Sequence, residues 1–310
     1  MFLILINDLP SRLLIECRLY ADDNKIISQI ASEEDSKSLQ KDIDTLDEWS
    51  EEWSLGLNFE KCKIMHFGKQ NKQYGYNMKD NGISRKLEVS SVEKDIGVLI
   101  SSDLKWEKQV RSAAGKANSK LALLDRTFTY QEKNLMRTLY CTYVRPHLEL
   151  AIQAWCPYLS KDVKELENVQ KRATKLIPEI RHLKYAERLI ALGMTTLEER
   201  RLRGDLIQQF KIFKGYDSVR FGNSIVSNQS APIEGPAYNI RHKQRINQEI
   251  VPHCMAREHF FTNRVALAWN KLPENVINSK SINSFKANLE SIDIGAFLEK
   301  KKKIKLFLNI

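Results

Sequence analysis

The chain has 310 residues, of which 42% are hydrophobic, so it can form one large domain or two to three ordinary ones with buried cores. Its formal net charge of +10 indicates an anionic partner, whether nucleic acid, an anionic membrane surface or an acidic protein. Five scattered cysteines, none in a Cys-x-x-Cys pair, argue against a disulfide framework and a zinc site, and favour a reducing intracellular location, nucleus or cytoplasm.

The charge is unevenly distributed along the chain. Residues 1–110 contain 15 Lys and Arg against 20 Asp and Glu, whereas residues 111–310 contain 34 against 19. Attraction to phosphate groups is therefore expected in the second part. The opening stretch MFLILI is too short to span a bilayer and lacks the features of a signal peptide, so no membrane segment is predicted.

The first third of the sequence combines short strand patterns with one helix pattern. Two short apolar runs are joined across Ala21, Asp22 and Asp23, and they predict a hairpin with the acids at its turn. Apolar residues at steps of four, three and seven then predict an amphipathic helix over 33–53. The remaining predicted elements are a strand, a polar loop and two short strands, at 57–67, 69–84, 86–90 and 95–100.

From Trp106 onward the periodicity is almost entirely helical. The predicted helices are 106–125, 131–144, 161–177, 195–214, 257–270 and 281–297. Residues 216–250 are rich in Gly, Pro, Asn, Ser and Gln with little periodicity, which predicts a linker or a loose loop. The predicted fold class is α+β, with a mixed domain over 1–105, a helical domain over 106–215 and a helical tail over 251–310.

Asp22 and Asp23 have two interpretations from the residues alone. Asp is common in turns because its side chain accepts backbone hydrogen bonds there, and this is the plainer explanation. Alternatively, the strands hold both acids out at the turn to bind divalent cations, as two-metal nucleotidyl transfer requires. Such a site needs a further carboxylate from another strand.

The chain contains LYADDNKI, GLNFEKCKIMHFG and DIGVLISSDLKW in this order. These stretches resemble motifs of the reverse transcriptases of non-LTR (LINE) retrotransposons of the jockey-like group. LYADDNKI, residues 19–26, resembles the aromatic-x-Asp-Asp metal motif of that family. GLNFEKCKIMHFG resembles its next palm motif, and DIGVLISSDLKW resembles its primer-grip hairpin. The family's helical thumb and tail are similar to TYVRPHLELAIQAWCPY, LENVQKRATKLI, RRLRGDLIQQFKIFKG and FFTNRVALAWNKLPENV, so that the resemblance covers nearly the whole chain.

The resemblance implies RNA-directed DNA synthesis by two-metal nucleotidyl transfer, with an RNA template, a DNA primer and Mg²⁺ or Mn²⁺. It assigns Asp22 as a metal ligand, with Asp23 beside it as a second and less essential acid. Tyr20 and Ala21 would shape the turn near the primer end. Lys61 would protonate or stabilise the departing pyrophosphate.

Several of these assignments have a structural alternative. Lys61 is equally compatible with a solvated lysine on a half-exposed strand. Gly97 would let a backbone approach the primer strand, although a plain hairpin glycine looks identical. Trp106 fits a core anchor better than a base-stacking residue. The basic residues assigned to nucleic-acid binding, which are otherwise solvated on exposed helix faces, are Lys116, Lys120, Lys171, Arg172 and Lys175.

In the family, a fingers subdomain, a first catalytic Asp and a Gly-rich nucleotide motif precede the point where this chain starts. The resemblance therefore implies a partial palm over 1–105, a thumb over 106–215 and a tail over 251–310, with weak or no metal binding and no catalysis in this chain alone. The competing hypothesis is a non-catalytic nucleic-acid-binding or structural protein derived from such an element, and a remoter one is an unrelated helical interaction protein. A lost palm strand would leave an open sheet edge, so self-association is expected.

Overall fold

The computed structural model describes residues 6–80, 82–219, 244–251 and 254–298. The protein has an α+β fold that divides into two compact units, Met1–Leu104 and Lys105–Ile310. Within the described residues, all strands belong to the first unit, and the second unit is built from helices. No helix in these ranges is long and apolar enough to cross a membrane.

The first unit is a set of small sheets with one long helix. Its strands pair as three antiparallel hairpins, β1–β2, β4–β5 and β7–β8, and one short parallel pair, β3–β6. The described elements are α1 (Leu9–Arg12), β1 (Glu16–Tyr20), β2 (Asp23–Ile27), α2 (Glu33–Glu52), a 3₁₀ helix (Phe59–Lys61), β3 (Lys63–Ile64), β4 (Asn77–Asp80), β5 (Ile83–Lys86), β6 (Glu88–Val89), β7 (Val92–Asp95) and β8 (Val98–Ser101).

Helix α2 anchors the core of the first unit. It begins at a capping box, in which the Ser32 hydroxyl accepts from the Asp35 N–H at 3.2 Å and the Asp35 carboxylate accepts from the Ser32 N–H at 2.8 Å. Its buried apolar stripe contains Ile43, Leu46 and Trp49, which recur at steps of three. The predicted helix over 33–53 therefore forms, with its apolar face in the core.

Three stretches of the first unit differ from the sequence prediction, and in one of them the strand predicted over 95–100 is broken by the Ile96–Gly97 turn between β7 and β8. Of the strand predicted over 57–67 only β3 (Lys63–Ile64) forms, and a 3₁₀ turn precedes it, because the Asn58 side chain accepts from the Lys61 N–H at 3.2 Å and holds the chain in a tight bend. The loop predicted over 69–84 contains strand β4 and the start of β5. These strands are polar, and Met78 is their one buried residue, so they lack the apolar alternation that marks a strand.

The second unit is a helical assembly. Its described elements are α3 (Glu107–Thr127), α4 (Lys133–Leu139), a π-helical segment (Tyr140–Val144), α5 (Arg145–Glu149), α6 (Ser160–Lys175), α7 (Tyr185–Ala191), α8 (Leu197–Phe213), α9 (Met255–Glu258), α10 (Phe261–Trp269), α11 (Glu274–Ile277) and α12 (Ile282–Glu290). Helix α3 packs against α6 and α5, and α8 packs against α10 and α12.

The π-helical segment has a local cause in the sequence. Pro146 has no N–H, so the α-helical bond that would run from this residue to the carbonyl of Thr142 cannot form. The helix widens before the proline instead, and the Arg145 N–H bonds the carbonyl of Tyr140, five residues back. Helix α4, the π segment and α5 therefore form one continuous helical stretch, which extends beyond residue 144, where the predicted helix ends.

The predicted thumb and tail share one core. Phe210 of α8 stacks on Phe285 of α12, with ring centroids 4.2 Å apart, and both lie in the same buried cluster as Trp269. The predicted linker over 216–250 falls largely on residues 220–243, which lie outside the described part of the chain. Its last residues lie along α10, where Asn270 exchanges two side-chain hydrogen bonds of 2.9 Å with the backbone of Ile246.

Candidate functional site

The acidic turn lies at the tip of the β1–β2 hairpin. Tyr20 and Asp23 are directly opposite each other in the strand register, so Ala21 and Asp22 form a two-residue turn. Ala21 has a φ of 53°, in the left-handed region that tight hairpin turns use. Both carboxylates are exposed, and so is the Tyr20 ring. The hairpin therefore presents two adjacent acids to solvent.

Two contacts fix the position of this hairpin within the first unit. The buried carboxylate of Asp42, on α2, accepts hydrogen bonds from the backbone N–H groups of Leu14 at 3.0 Å and Ile15 at 2.7 Å, just before β1 begins. On the other strand, Lys25 forms an ion pair with Asp95 of β7. The structure thus brings the acidic hairpin and the β7–β8 hairpin together across 70 residues of sequence.

Gly97 lies in the turn of the β7–β8 hairpin. Asp95 pairs with Val98, and the two residues between them, Ile96 and Gly97, have φ values of 43° and 85°. Two positive φ angles define a type I′ turn, in which glycine is favoured at the second position. A Cβ on Gly97 would meet nothing within 4 Å among the described residues. Turn geometry alone explains this glycine, and its role toward a primer stays a prediction.

Lys61 is the last residue of the 3₁₀ helix rather than a residue of a strand, and its side chain is exposed. Among the described residues, no hydrogen bond or ion pair joins its ammonium group to the turn that carries Asp22. The structure therefore corrects its local setting, and its role in releasing pyrophosphate stays a prediction.

The acidic turn alone does not make up a metal site. Two carboxylates offer the oxygen ligands that Mg²⁺ prefers. However, no group of three or more His, Cys, Asp or Glu side chains placed to hold a metal ion occurs in the described part of the chain. Asp22 and Asp23 therefore do not complete a metal site by themselves, and no catalytic step follows from these residues alone.

Trp106 is a core residue at the start of the second unit. It lies half-buried at the N-cap of α3. Its ring is 6.4 Å, centroid to centroid, from the fully buried ring of Trp155. This tilted aromatic contact favours the core-anchor interpretation over base stacking.

A cationic groove runs between α3 and α6 in the second unit. Its larger cavity has a volume of about 590 Å³. The residues that α6 contributes to its wall lie three or four positions apart, on one face of the helix. A second cavity of about 420 Å³ continues it along the same two helices. The residues lining the larger cavity are Ala114, Asn118, Glu165, Asn168, Lys171, Arg172, Lys175 and Arg188.

The structure brings together three of the five basic residues assigned to nucleic-acid binding. Lys171, Arg172 and Lys175 line the groove, and none of them forms an ion pair with a described residue. Lys116 and Lys120 do not line it. Each lies two residues from Asn118, a step that turns about 200° around the helix axis, so both lie on the other side of α3. The five residues therefore do not form one site.

Arg188, which sequence reasoning missed, shapes one wall of the groove. Its guanidinium group is buried and donates to the Thr174 hydroxyl at 3.0 Å and to the Leu183 carbonyl at 2.8 Å, which holds α7 against α6. The Tyr185 ring lies against Arg188 and, at 5.4 Å, against the ammonium group of Lys171. The spacing of Asn168, Arg172 and Lys175 on α6 was the available sequence signal, but it does not reveal the partner helix.

The comparisons with known proteins identify no relative. No family model, no curated protein and no solved structure matches this chain. Two features of the molecule point to a function, the acidic hairpin turn of the first unit and the cationic groove of the second.

Proposed function

We propose that this chain is the C-terminal part of a non-LTR retrotransposon reverse transcriptase, with a partial palm, a helical thumb and a helical tail. The complete protein would synthesise DNA on an RNA template by two-metal nucleotidyl transfer. The observation that carries the proposal is the Ala21–Asp22 turn, which places Asp22 and Asp23, consecutive in the chain and both exposed, at a hairpin tip. The order of the resembling stretches along the chain supports it.

In the proposed enzyme, Asp22 is a metal ligand and Asp23 a second, less essential acid. The cations would activate the attacking oxygen and stabilise the leaving phosphate. Lys61 would act on the departing pyrophosphate, and Gly97 would lie near the primer. The described residues contain no group of three or more His, Cys, Asp or Glu side chains placed to hold a metal ion, so the 310-residue polypeptide alone is proposed to be inactive.

Primer extension on an RNA template with Mg²⁺ or Mn²⁺ tests this proposal. The 310-residue chain is compared with a longer chain in which a segment carrying a further acid and a nucleotide motif is fused before Met1. The longer chain should extend the primer, and Asp22→Asn should lower its rate about a hundredfold or more, because the amide keeps the shape but loses the charge that holds the cation. Asp23→Asn should have a smaller effect.

Glu34→Gln, a change at an exposed acid on α2, is the matched control and should leave the rate unchanged. Robust extension by the 310-residue chain that Asp22→Asn abolishes would refute the proposed inactivity. Extension by the longer chain that survives Asp22→Asn would refute the assignment of the acidic turn.

A second candidate function is nucleic-acid binding without catalysis, in a protein derived from such an element. The α3–α6 groove favours it, because Lys171, Arg172 and Lys175 converge there without ion-pair partners among the described residues. Clustered cations release the counterions of a phosphate backbone on binding, which gives sequence-tolerant affinity. This function needs neither the acidic turn nor a metal.

A further inference from the structure

One buried polar atom of the α3–α6 groove lacks a hydrogen-bond partner. Asn118 of α3 lines both cavities of the groove, opposite Arg172 and Lys175 of α6. Its amide oxygen Oδ1 is buried and accepts no hydrogen bond from any described residue. A buried acceptor without a donor is unfavourable, so a ligand that brings a donor to this oxygen gains affinity.

The charges of the groove indicate which further group such a ligand carries. Lys171, Arg172 and Lys175 attract an anion to the middle of the groove. Glu165 lines only the larger cavity and Asp125 only the smaller one, so one acid stands toward each end and repels an anion there. The groove therefore favours an anionic group beside Asn118, with a hydrogen-bond donor close to it.

A ribonucleotide backbone combines these two features. Its phosphate meets the cations, and the 2′-hydroxyl of the neighbouring ribose is a donor that deoxyribose lacks. The last side-chain torsion of asparagine is broad, so the amide can turn its oxygen toward a donor in the groove. Asn118 is thus placed to distinguish RNA from DNA at this point.

We propose that the α3–α6 groove binds the backbone of an RNA strand in preference to DNA, with phosphate on Lys171, Arg172 and Lys175 and a ribose 2′-hydroxyl donating to Asn118 Oδ1. This inference rests on the nucleic-acid binding proposed above. It adds a strand preference and names the side chain that reads it.

Fluorescence anisotropy with the full 310-residue chain tests the preference. The probes are three labelled single strands of one sequence of A and C only, made as RNA, as DNA and as 2′-O-methyl RNA. RNA should bind about fivefold more tightly than DNA, which corresponds to one net hydrogen bond. The 2′-O-methyl strand should bind like DNA, because it cannot donate to Asn118.

Asn118→Leu should reduce RNA binding to the level of DNA binding. Asn168→Leu is the matched control, since this second amide of the groove has no buried unpartnered oxygen, and it should keep the preference. Equal wild-type binding of RNA and 2′-O-methyl RNA overturns the inference without any variant, and so does a preference that persists in Asn118→Leu.

These outcomes are separable from failure of the proposed function. Salt-sensitive binding that is equal for the three strands leaves nucleic-acid binding intact and overturns only the strand preference. Absence of binding to any strand overturns both the proposed nucleic-acid binding at the groove and the preference for RNA. Primer extension by the longer chain depends on Asp22 and is read independently.

Discussion

At the scale of single residues, one buried ion pair in the second unit is held by several hydrogen bonds. Arg264 and Asp205 are buried and share two hydrogen bonds of 2.8 Å. The Nη2 group of Arg264 also donates to the carbonyls of Ile152 at 2.9 Å and Gln153 at 3.1 Å. The pair thus joins α8, α10 and the segment after α5. Because both side chains are buried away from water, each charge is stabilised by the other.

Asp205→Asn should lower the free energy of unfolding of the second unit by about 3–5 kcal/mol, because it leaves the Arg264 guanidinium buried without a counter-charge. Chemical denaturation measures the loss. Glu290→Gln is the control, since Glu290 is the exposed partner of Arg203 and its loss should cost about 1 kcal/mol or less. Equal losses in the two variants would contradict the prediction.

Gly97→Ala should destabilise the β7–β8 hairpin by about 1–2 kcal/mol, because alanine is strained at a φ of 85° even where space is open. Amide hydrogen exchange in β7 and β8 should become about tenfold faster or more. Gly56→Ala, at a position without a positive φ and with equally open space, should leave exchange in the first unit nearly unchanged. Similar acceleration in both variants would show that the turn conformation is not the cause.

At the scale of elements, a buried polar network joins the π segment, α6 and α7. The Tyr140 hydroxyl donates to Gln170 at 2.8 Å, and the Gln170 amide donates to the Tyr185 hydroxyl at 2.9 Å and to the Thr195 carbonyl at 3.0 Å. The Tyr185 hydroxyl in turn donates to Glu167. Such a network fixes the relative rotation of the helices, because each partner has one geometry that satisfies it.

Burial raises the pKa of the Glu167 carboxyl above its usual range, although the Tyr185 hydroxyl and the Leu197 N–H oppose that rise. The folded state therefore favours the protonated form, and this contribution to stability is fully present below the unfolded pKa and is lost as pH rises through the folded pKa. The free energy of unfolding of the wild type, relative to Glu167→Gln, should fall across that interval and then level off.

Urea denaturation of both proteins from pH 4 to 8 measures this difference. Tyr185→Phe supplies the control, because it removes a donor that lowers the Glu167 pKa, and it should move the fall to higher pH. A difference between wild type and Glu167→Gln that stays constant over the whole range would contradict the assignment.

At the scale of the whole molecule, we expect the position of the cationic residues to matter more for nucleic-acid binding than their number. The cationic excess belongs to residues 111–310, but only part of it faces the α3–α6 groove. The double variants R172A/K175A and K116A/K120A remove the same total charge from neighbouring helices. The comparison therefore separates a local binding site from long-range attraction.

R172A/K175A should weaken binding to an RNA–DNA duplex and reduce the slope of log affinity against log salt by about 2, because two phosphate contacts are lost. K116A/K120A should change the slope by less than half as much. Titrations at several salt concentrations measure both slopes. Equal reductions would show that general charge, rather than the groove, attracts the nucleic acid.

Local chemistry determined much of the first unit from the sequence alone. The Ala21–Asp22 turn, the helix over Glu33–Glu52 and its Ser32 cap follow from turn residues, periodicity and a capping pair, each set by neighbours a few residues away. The polar strands β4 and β5 and the 3₁₀ turn at Asn58 lacked such a pattern, so periodicity could not predict them.

Only the tertiary structure decided which distant residues meet. It paired Lys25 with Asp95 and Asp205 with Arg264, and it placed the predicted thumb and tail in one core. It also divided the five basic residues between two sides of α3 and left the Asn118 oxygen buried without a donor. These outcomes depend on which helix faces pack together, and periodicity identifies an apolar face without identifying its partner.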